Sequence, residues 1–124
     1  MISLEFKTQI DRDKVVKVWG TEEIIANANG YCGKILRISP GYQCSLHYHP
    51  VKNETFLCLA GPVQLQVGEV EGMLTAGDSI TILAGTPHRF AYVYDDDGMG
   101  VLIEFSSTHS DDDVVRLEPS GPIS

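Results

Sequence analysis

The sequence predicts an all-β domain, a sandwich or barrel of short strands, and three observations carry that expectation. Glycine and proline cut the chain into evenly spaced pieces of six to eleven residues, a length that suits strands. Val63, Leu65 and Val67 alternate with Gln64 and Gln66, the period of two expected of a strand with one wet face. No amphipathic stretch of about ten residues or more stands out; the one helical signal is Ser107 to Asp113, where Ser and Thr could cap a single turn.

Taken in order, the pieces begin with EEIIANANG and YCGKILRISPG, separated by the turn pair Asn29-Gly30 and closed by Pro40-Gly41. QCSLHYHP runs to Pro50, and ETFLCLAGP ends at the Gly61-Pro62 pair. VQLQVG, GMLTAGD and SITILAG follow, then HRFAYVYDDDG with its turn at Asp97-Gly98, and MGVLIEFSS as the last clear strand. A core over about residues 15–118 leaves 119–124 as a tail, where two prolines and a glycine in EPSGPIS predict fraying. At the other end, ISLEFK reads as an isolated edge strand able to pair with a second subunit, so a homodimer is expected.

A chain of 124 residues is expected to form one domain that buries roughly 65% of the surface its unfolded form exposes. Nine Lys and Arg against seventeen Asp and Glu give a net charge of −8, which argues against nucleic acid and anionic membrane surfaces as partners. The acidic runs Asp95 to Asp97 and Asp111 to Asp113 read as solvated loops. Cys32, Cys44 and Cys58 are odd in number and lack C-x-x-C spacing, so reduced thiols are expected. The first twenty residues lack an apolar signal core, and no apolar run approaches the ~18 residues that span a bilayer. A soluble, cytoplasmic protein is the expectation.

The chemistry concentrates in GYQCSLHYHPVKNETFLCLAG, Gly41 to Gly61. Residues two apart on a strand share a face, so His47 and His49 project together with Cα atoms roughly 6.5 Å apart. A turn over Pro50 to Asn53 would bring Glu54 back beside them on the next antiparallel strand. His88, which opens HRFAYVY after Gly85-Thr86-Pro87, is placed to reach the same point. Three histidines and a glutamate leave open positions on a five- or six-coordinate divalent ion, and the set suits Mn, Fe, Co, Ni or Zn. An H-x-H pair alone is more often exposed or satisfied than ligating; Glu54 and His88 shift that balance.

These residues resemble the cupin superfamily. Its first motif, G-x5-H-x-H-x3,4-E-x6-G, is matched by Gly41, His47, His49, Glu54 and Gly61. Its second, G-x5-P-x-G-x2-H-x3-N, is matched by Gly77, Gly85 and His88, with Leu83 in place of the proline and Tyr92 in place of the asparagine. The resemblance implies a double-stranded β-helix, or jelly-roll barrel, around a metal. Lys17-Val18-Trp19-Gly20, Lys34, Ser39-Pro40-Gly41, Ser45-Leu46, Pro87-His88-Arg89, Glu104 and Asp111 to Arg116 look like the cupin domain of type II phosphomannose isomerases and related small sugar-modifying cupins. That family usually has Pro at the position of Val18 and Gln at that of His47.

The implied activity is isomerisation or epimerisation of a sugar or sugar phosphate, with a metal polarising the carbonyl and a base moving a proton. Glu104, Lys52 and His109 are the candidates for that proton transfer. Each has a plainer reading: Lys52 as a solvated turn residue, Glu104 as an outward carboxylate, and His109 as a loop residue. Phe90 and Tyr92 share His88's face and are expected to line the cavity. Arg89, Arg116 and Lys34 could bind a phosphate, although Arg89 faces opposite to His88 on a regular strand. Trp19 reads either as a platform for a sugar ring or as a core plug. Cys58 shares parity with Glu54 and reads as packing more readily than as a soft ligand. Two other functions fit the same ligands: a non-haem Fe dioxygenase, and a non-enzymatic carbohydrate-binding or regulatory module.

Overall fold

Where glycine and proline punctuate the sequence, the chain turns. In the computed structural model, which describes residues 7–124, Gly41 at φ 78° and Gly85 at φ 83° sit in left-handed conformations that favour glycine. Between the turns lie β1 (Lys14–Lys17), β2 (Gly20–Ala28), β3 (Tyr31–Ile38), β4 (Tyr42–Gln43), β5 (Leu46–Tyr48), β6 (Glu54–Ala60) and β7 (Val63–Val67). They are followed by β8 (Val70–Leu74), β9 (Ser79–Ile82), β10 (His88–Tyr92), β11 (Gly100–Ser106), β12 (Val115–Glu118) and β13 (Gly121–Pro122). No helix occurs among the described residues. The Ser107 to Asp113 stretch makes an isolated turn instead, with the Asp113 N–H donating to the Ser110 carbonyl at 3.0 Å.

The strands form two antiparallel sheets, as the all-β jelly-roll expectation requires. One runs β1-β2-β3-β11-β6-β9; the other runs β12-β5-β10-β4-β13, with β7 also paired to β10 and β8 to β7. Consecutive strands therefore often lie in different sheets. That separates β5 from β6: Glu54 does not return beside the histidines as a hairpin partner but faces them from the opposite sheet.

Inward-pointing residues change character along each strand. Lys34, Leu36 and Ile38 of β3, Glu104 and Leu102 of β11, Glu54, Phe56 and Cys58 of β6, and His88, Phe90 and Tyr92 of β10 are all buried. Each series starts charged or imidazole-bearing at one end and becomes apolar toward the other. Leu36, Ile38, Phe56, Cys58, Val63, Phe90 and Leu102 belong to one continuous core with Trp19, whose ring meets that of Phe90 edge-on at 4.9 Å. Full burial of a side chain such as Leu102 contributes about 1.5–3 kcal/mol.

The tail does not fray: Gly121 and Pro122 pair with Gln43 and Tyr42 of β4, and the Ile123 N–H donates to the Gly41 carbonyl at 2.8 Å. The edge of β4 supplies unpaired backbone groups, and these offset the poor strand propensity of glycine and proline. Of ISLEFK, only Lys7 is among the described residues, so the expected edge strand and its subunit pairing lie outside them. All three cysteines are free thiols. No helix of the described residues is long and apolar enough to cross a membrane.

Candidate metal centre

His47 and His88 are directly opposed across the β5–β10 pairing, and His49 follows just beyond the end of β5. The Nδ1 of each ring lies against a backbone carbonyl: His47 on Ser45 at 2.8 Å, His49 on Asp113 at 2.6 Å and His88 on Thr86 at 2.9 Å. A carbonyl only accepts, so each Nδ1 carries a proton and donates it, which leaves Nε2 as the atom each ring offers as a ligand. Three main-chain contacts thus fix both the tautomer and the direction of three ligand atoms.

Glu54 opens β6 on the facing sheet and aims its carboxylate into the same space. The ligand atoms of His47, His49, Glu54 and His88 all lie within 4.8 Å of one another. Both carboxylate oxygens of Glu54 and Nε2 of His88 are buried without a hydrogen-bond partner, although His88 Nε2 is only 2.6 Å from Glu54 Oε1. Buried polar atoms left unpaired each cost on the order of 1–3 kcal/mol, so their convergence calls for a shared partner. A divalent cation satisfies all of them at once, and this donor set is compatible with one.

The protonation states agree. Burial pushes His47 down to about 4 and lowers His49 as well, which keeps both rings neutral near pH 7. Burial alone would raise Glu54, but the close His88 ring and the Lys52 charge outweigh it and bring the carboxyl down to about 2. The centre therefore presents two neutral imidazoles and one carboxylate around the fourth ligand, His88.

A second group of charges adjoins the first. Lys52, expected in a solvated turn, is 2% exposed. Its Nζ donates to Glu104 at 3.1 Å, contacts Nδ1 of His109 at 3.1 Å, and lies 3.5 Å from Glu54. Burial would lower the lysine, but Glu104 and Glu54 more than compensate and hold it protonated. Glu104 is pushed up, first by burial and then by the charge of Glu54. From Lys52 the contacts continue through His109 to Asp111, 2.9 Å away, whose side chain is fully exposed.

His47, His49 and Glu54 line one cavity of about 350 Å³ together with the second group. Trp19, Ile24, Leu36, Phe56 and Phe90 form its apolar wall, and Lys34, paired with Glu22 at 2.9 Å, forms part of its polar side. Cys44 also lines it; burial pushes that thiol up to about 12, so it stays protonated.

The structure thus brings together His47, His49, Glu54 and His88, and sets Glu104, Lys52, His109 and Phe90 around them. Two expected residues are elsewhere. Tyr92 does face inward, but it lies four residues, roughly 13 Å, further along β10, where its hydroxyl donates to Asp96 at 3.0 Å. Arg89 points out of the barrel and donates to the Cys44 carbonyl, to Glu118 and to the Pro119 carbonyl. Cys58 is packed in the core with its thiol toward the Leu74 carbonyl. Sequence reasoning missed Glu22 and the two working members of the DDD run. Asp111 ends the chain of contacts, and the Asp113 carboxylate accepts the N–H groups of Val51 and Lys52, both at 2.9 Å.

Comparison with known proteins places this geometry in context. The model of the cupin domain family matches residues 34–104. Mannose-1-phosphate guanylyltransferase 2 of Escherichia coli O157:H7 is 30% identical over 121 residues, which cover 94% of this chain and 24% of that protein. The chain therefore spans about a quarter of that relative's length. KdgF from Halomonas sp. superposes with a TM-score of 0.76 at 16% identity, over 89% of this chain and 98% of that one. The capsular polysaccharide assembling protein CapF of Staphylococcus aureus gives 0.76 at 19% identity, over 86% and 32%. At such identities the two structures speak for the fold alone.

Proposed function

The chain belongs to the cupin domain family, and on that premise we propose that it is a metal-dependent enzyme acting on a sugar or sugar phosphate, of the isomerase or epimerase type. The observation that carries this reading is the buried Glu104–Lys52–His109 cluster sharing a cavity with the four-ligand centre. A metal ligand set alone fits a binding module. An adjoining carboxylate with a raised pKa is what proton transfer adds.

His47, His49 and His88 would hold the cation through Nε2, and Glu54 through its carboxylate. When bound, the cation would supply Lewis-acid stabilisation of negative charge on a substrate oxygen. Glu104 is the group that accepts a proton from carbon, because its raised pKa makes it a stronger base than an ordinary carboxylate. Lys52 orients Glu104 and keeps the two buried carboxylates apart in charge, and His109 offers the exchanged proton a path toward Asp111 and solvent. Trp19 and Phe90 give an apolar wall against which the face of a sugar ring packs. The names of two similar proteins, a mannose-1-phosphate guanylyltransferase and a capsular polysaccharide assembling protein, support sugar chemistry as the setting.

The test is exchange of carbon-bound protons in deuterated solvent across aldoses, ketoses and their phosphates, with Mn²⁺ or Zn²⁺ supplied. Exchange with at least one substrate, reduced about a hundredfold or more in Glu104→Gln, is the expected result. Saturable sugar binding without exchange would mark a binding module, and oxygen uptake with Fe²⁺ a dioxygenase; either would overturn the proposal.

A further inference from the structure

Nine basic side chains face seventeen acidic ones in this chain, so a basic group without an acidic partner has been left aside by a large surplus. Within the cavity the carboxylates are all engaged. Glu22 holds Lys34, Glu104 and Glu54 share Lys52, and Asp111 holds His109. Lys17 and Arg116 line the same cavity, and neither side chain makes an ion pair or hydrogen bond among the described residues. Lys17 is drawn to the exposed Asp111 only at longer range.

Their placement is as informative as their lack of partners. Arg116 pairs across the β12–β5 ladder with His47, so it shares that histidine's face. Lys17 ends β1 on the edge of the other sheet, so the two cations approach the cavity from opposite walls. The lining carries four Lys and Arg side chains and four Asp and Glu side chains. A divalent cation on the ligand set would therefore leave the cavity net positive in a chain whose overall charge is −8. A volume of about 350 Å³ is near the low end of the ~300–1,000 Å³ range of small-molecule sites and suits one sugar unit.

We propose that Lys17 and Arg116 form an oxyanion subsite at the mouth of the cavity, so that the substrate of the reaction proposed above is an acidic sugar. Its phosphate or carboxylate lies between the ammonium and the guanidinium fork, and its uncharged part reaches the histidine–glutamate centre. The inference rests on the reading of the cavity as a sugar site.

Calorimetric titration of the full chain at low ionic strength, with a hexose, its phosphate monoester and the corresponding hexuronate, tests it. One or both acidic ligands are expected to bind at least about tenfold more tightly than the hexose, and the tighter one identifies the oxyanion. Arg116→Gln and Lys17→Gln should each weaken the acidic ligand about tenfold and leave the hexose unchanged, while Arg116→Lys retains most of the affinity. Binding of all three probes with equal affinity, including none at all, overturns the subsite, as does anion affinity that survives both glutamine substitutions. Charge-dependent binding without proton exchange would uphold the subsite and defeat the isomerase reading. Proton exchange on a neutral sugar, undiminished in both glutamine variants, would do the reverse.

Discussion

Two layers of the same barrel, a few residues apart on the same strands, are built on opposite principles. In the lower layer Ile38 and Leu102 bury apolar surface with nothing to satisfy. In the upper layer Lys34, Lys52, Glu54, His88 and Glu104 are equally buried, and several of their atoms lack what they need. The lower layer stabilises the fold. The upper one is held in place by it and depends on pairing among its own charges, around a ligand set compatible with a divalent cation. A third case separates burial from function: Glu23 is 0% exposed on the outer side of the six-stranded sheet, yet Arg12 and Arg37 both pair with it. A buried carboxylate with its full complement of partners is structural; one that lacks them marks the site.

The largest effect that would break the comparison concerns the unsatisfied layer. His47→Ala and His88→Ala should each reduce bound metal from one equivalent to below about a tenth, read by elemental analysis of protein purified without chelator. Full retention in both would end the metal argument. Next, Lys52→Met strands two buried carboxylates and should cost about 4 kcal/mol in denaturant unfolding of metal-free protein; adding Glu104→Gln should recover part of that loss. Leu102→Ala, in the lower layer, should cost about 3 kcal/mol while the folded variant binds metal normally. If it lost metal instead, the layers would not be separable.

The smallest effect sharpens the contrast with Glu23. Hydrogen bonds from Arg12 and then Arg37 hold its carboxyl below the usual carboxylate range. The unfolded chain therefore takes up the proton first as pH falls. The stabilisation is complete above the ordinary glutamate value of about 4.3 and is lost as pH drops through the lower folded value. Denaturation midpoints from pH 5 to pH 3 should fall less steeply in Glu23→Gln than in the wild type.

Much of this architecture was legible because β-structure writes itself into local sequence. Parity alone put His47 with His49, and Glu54 with Cys58, on shared faces; turn glycines such as Gly41 and Gly85 mark where the chain reverses. What parity cannot give is depth along the barrel. Tyr92 and His88 share a face, yet one lies in the apolar core and the other in the charged layer. Long-range partners were equally invisible. Lys52 looked solvated because the Glu104 that buries it is 52 residues away, and Glu54 comes from the opposite sheet rather than from a hairpin. The DDD run looked uniformly wet; the main-chain groups of Val51 and Lys52 and the His49 ring distinguish Asp113 from its neighbours.

Asp113 has a mechanical consequence. Its carboxylate ties the backbone at Val51 and Lys52, and its carbonyl accepts a hydrogen bond from His49, so one loop residue fastens a candidate metal ligand and the lysine that pairs with Glu104. A loop fastened in this way cannot swing open as a gate without turning the His49 ring and shifting Lys52 together. A cation held at His49 would be disturbed by any opening of that loop, so ligand exchange through it and ion retention would be coupled.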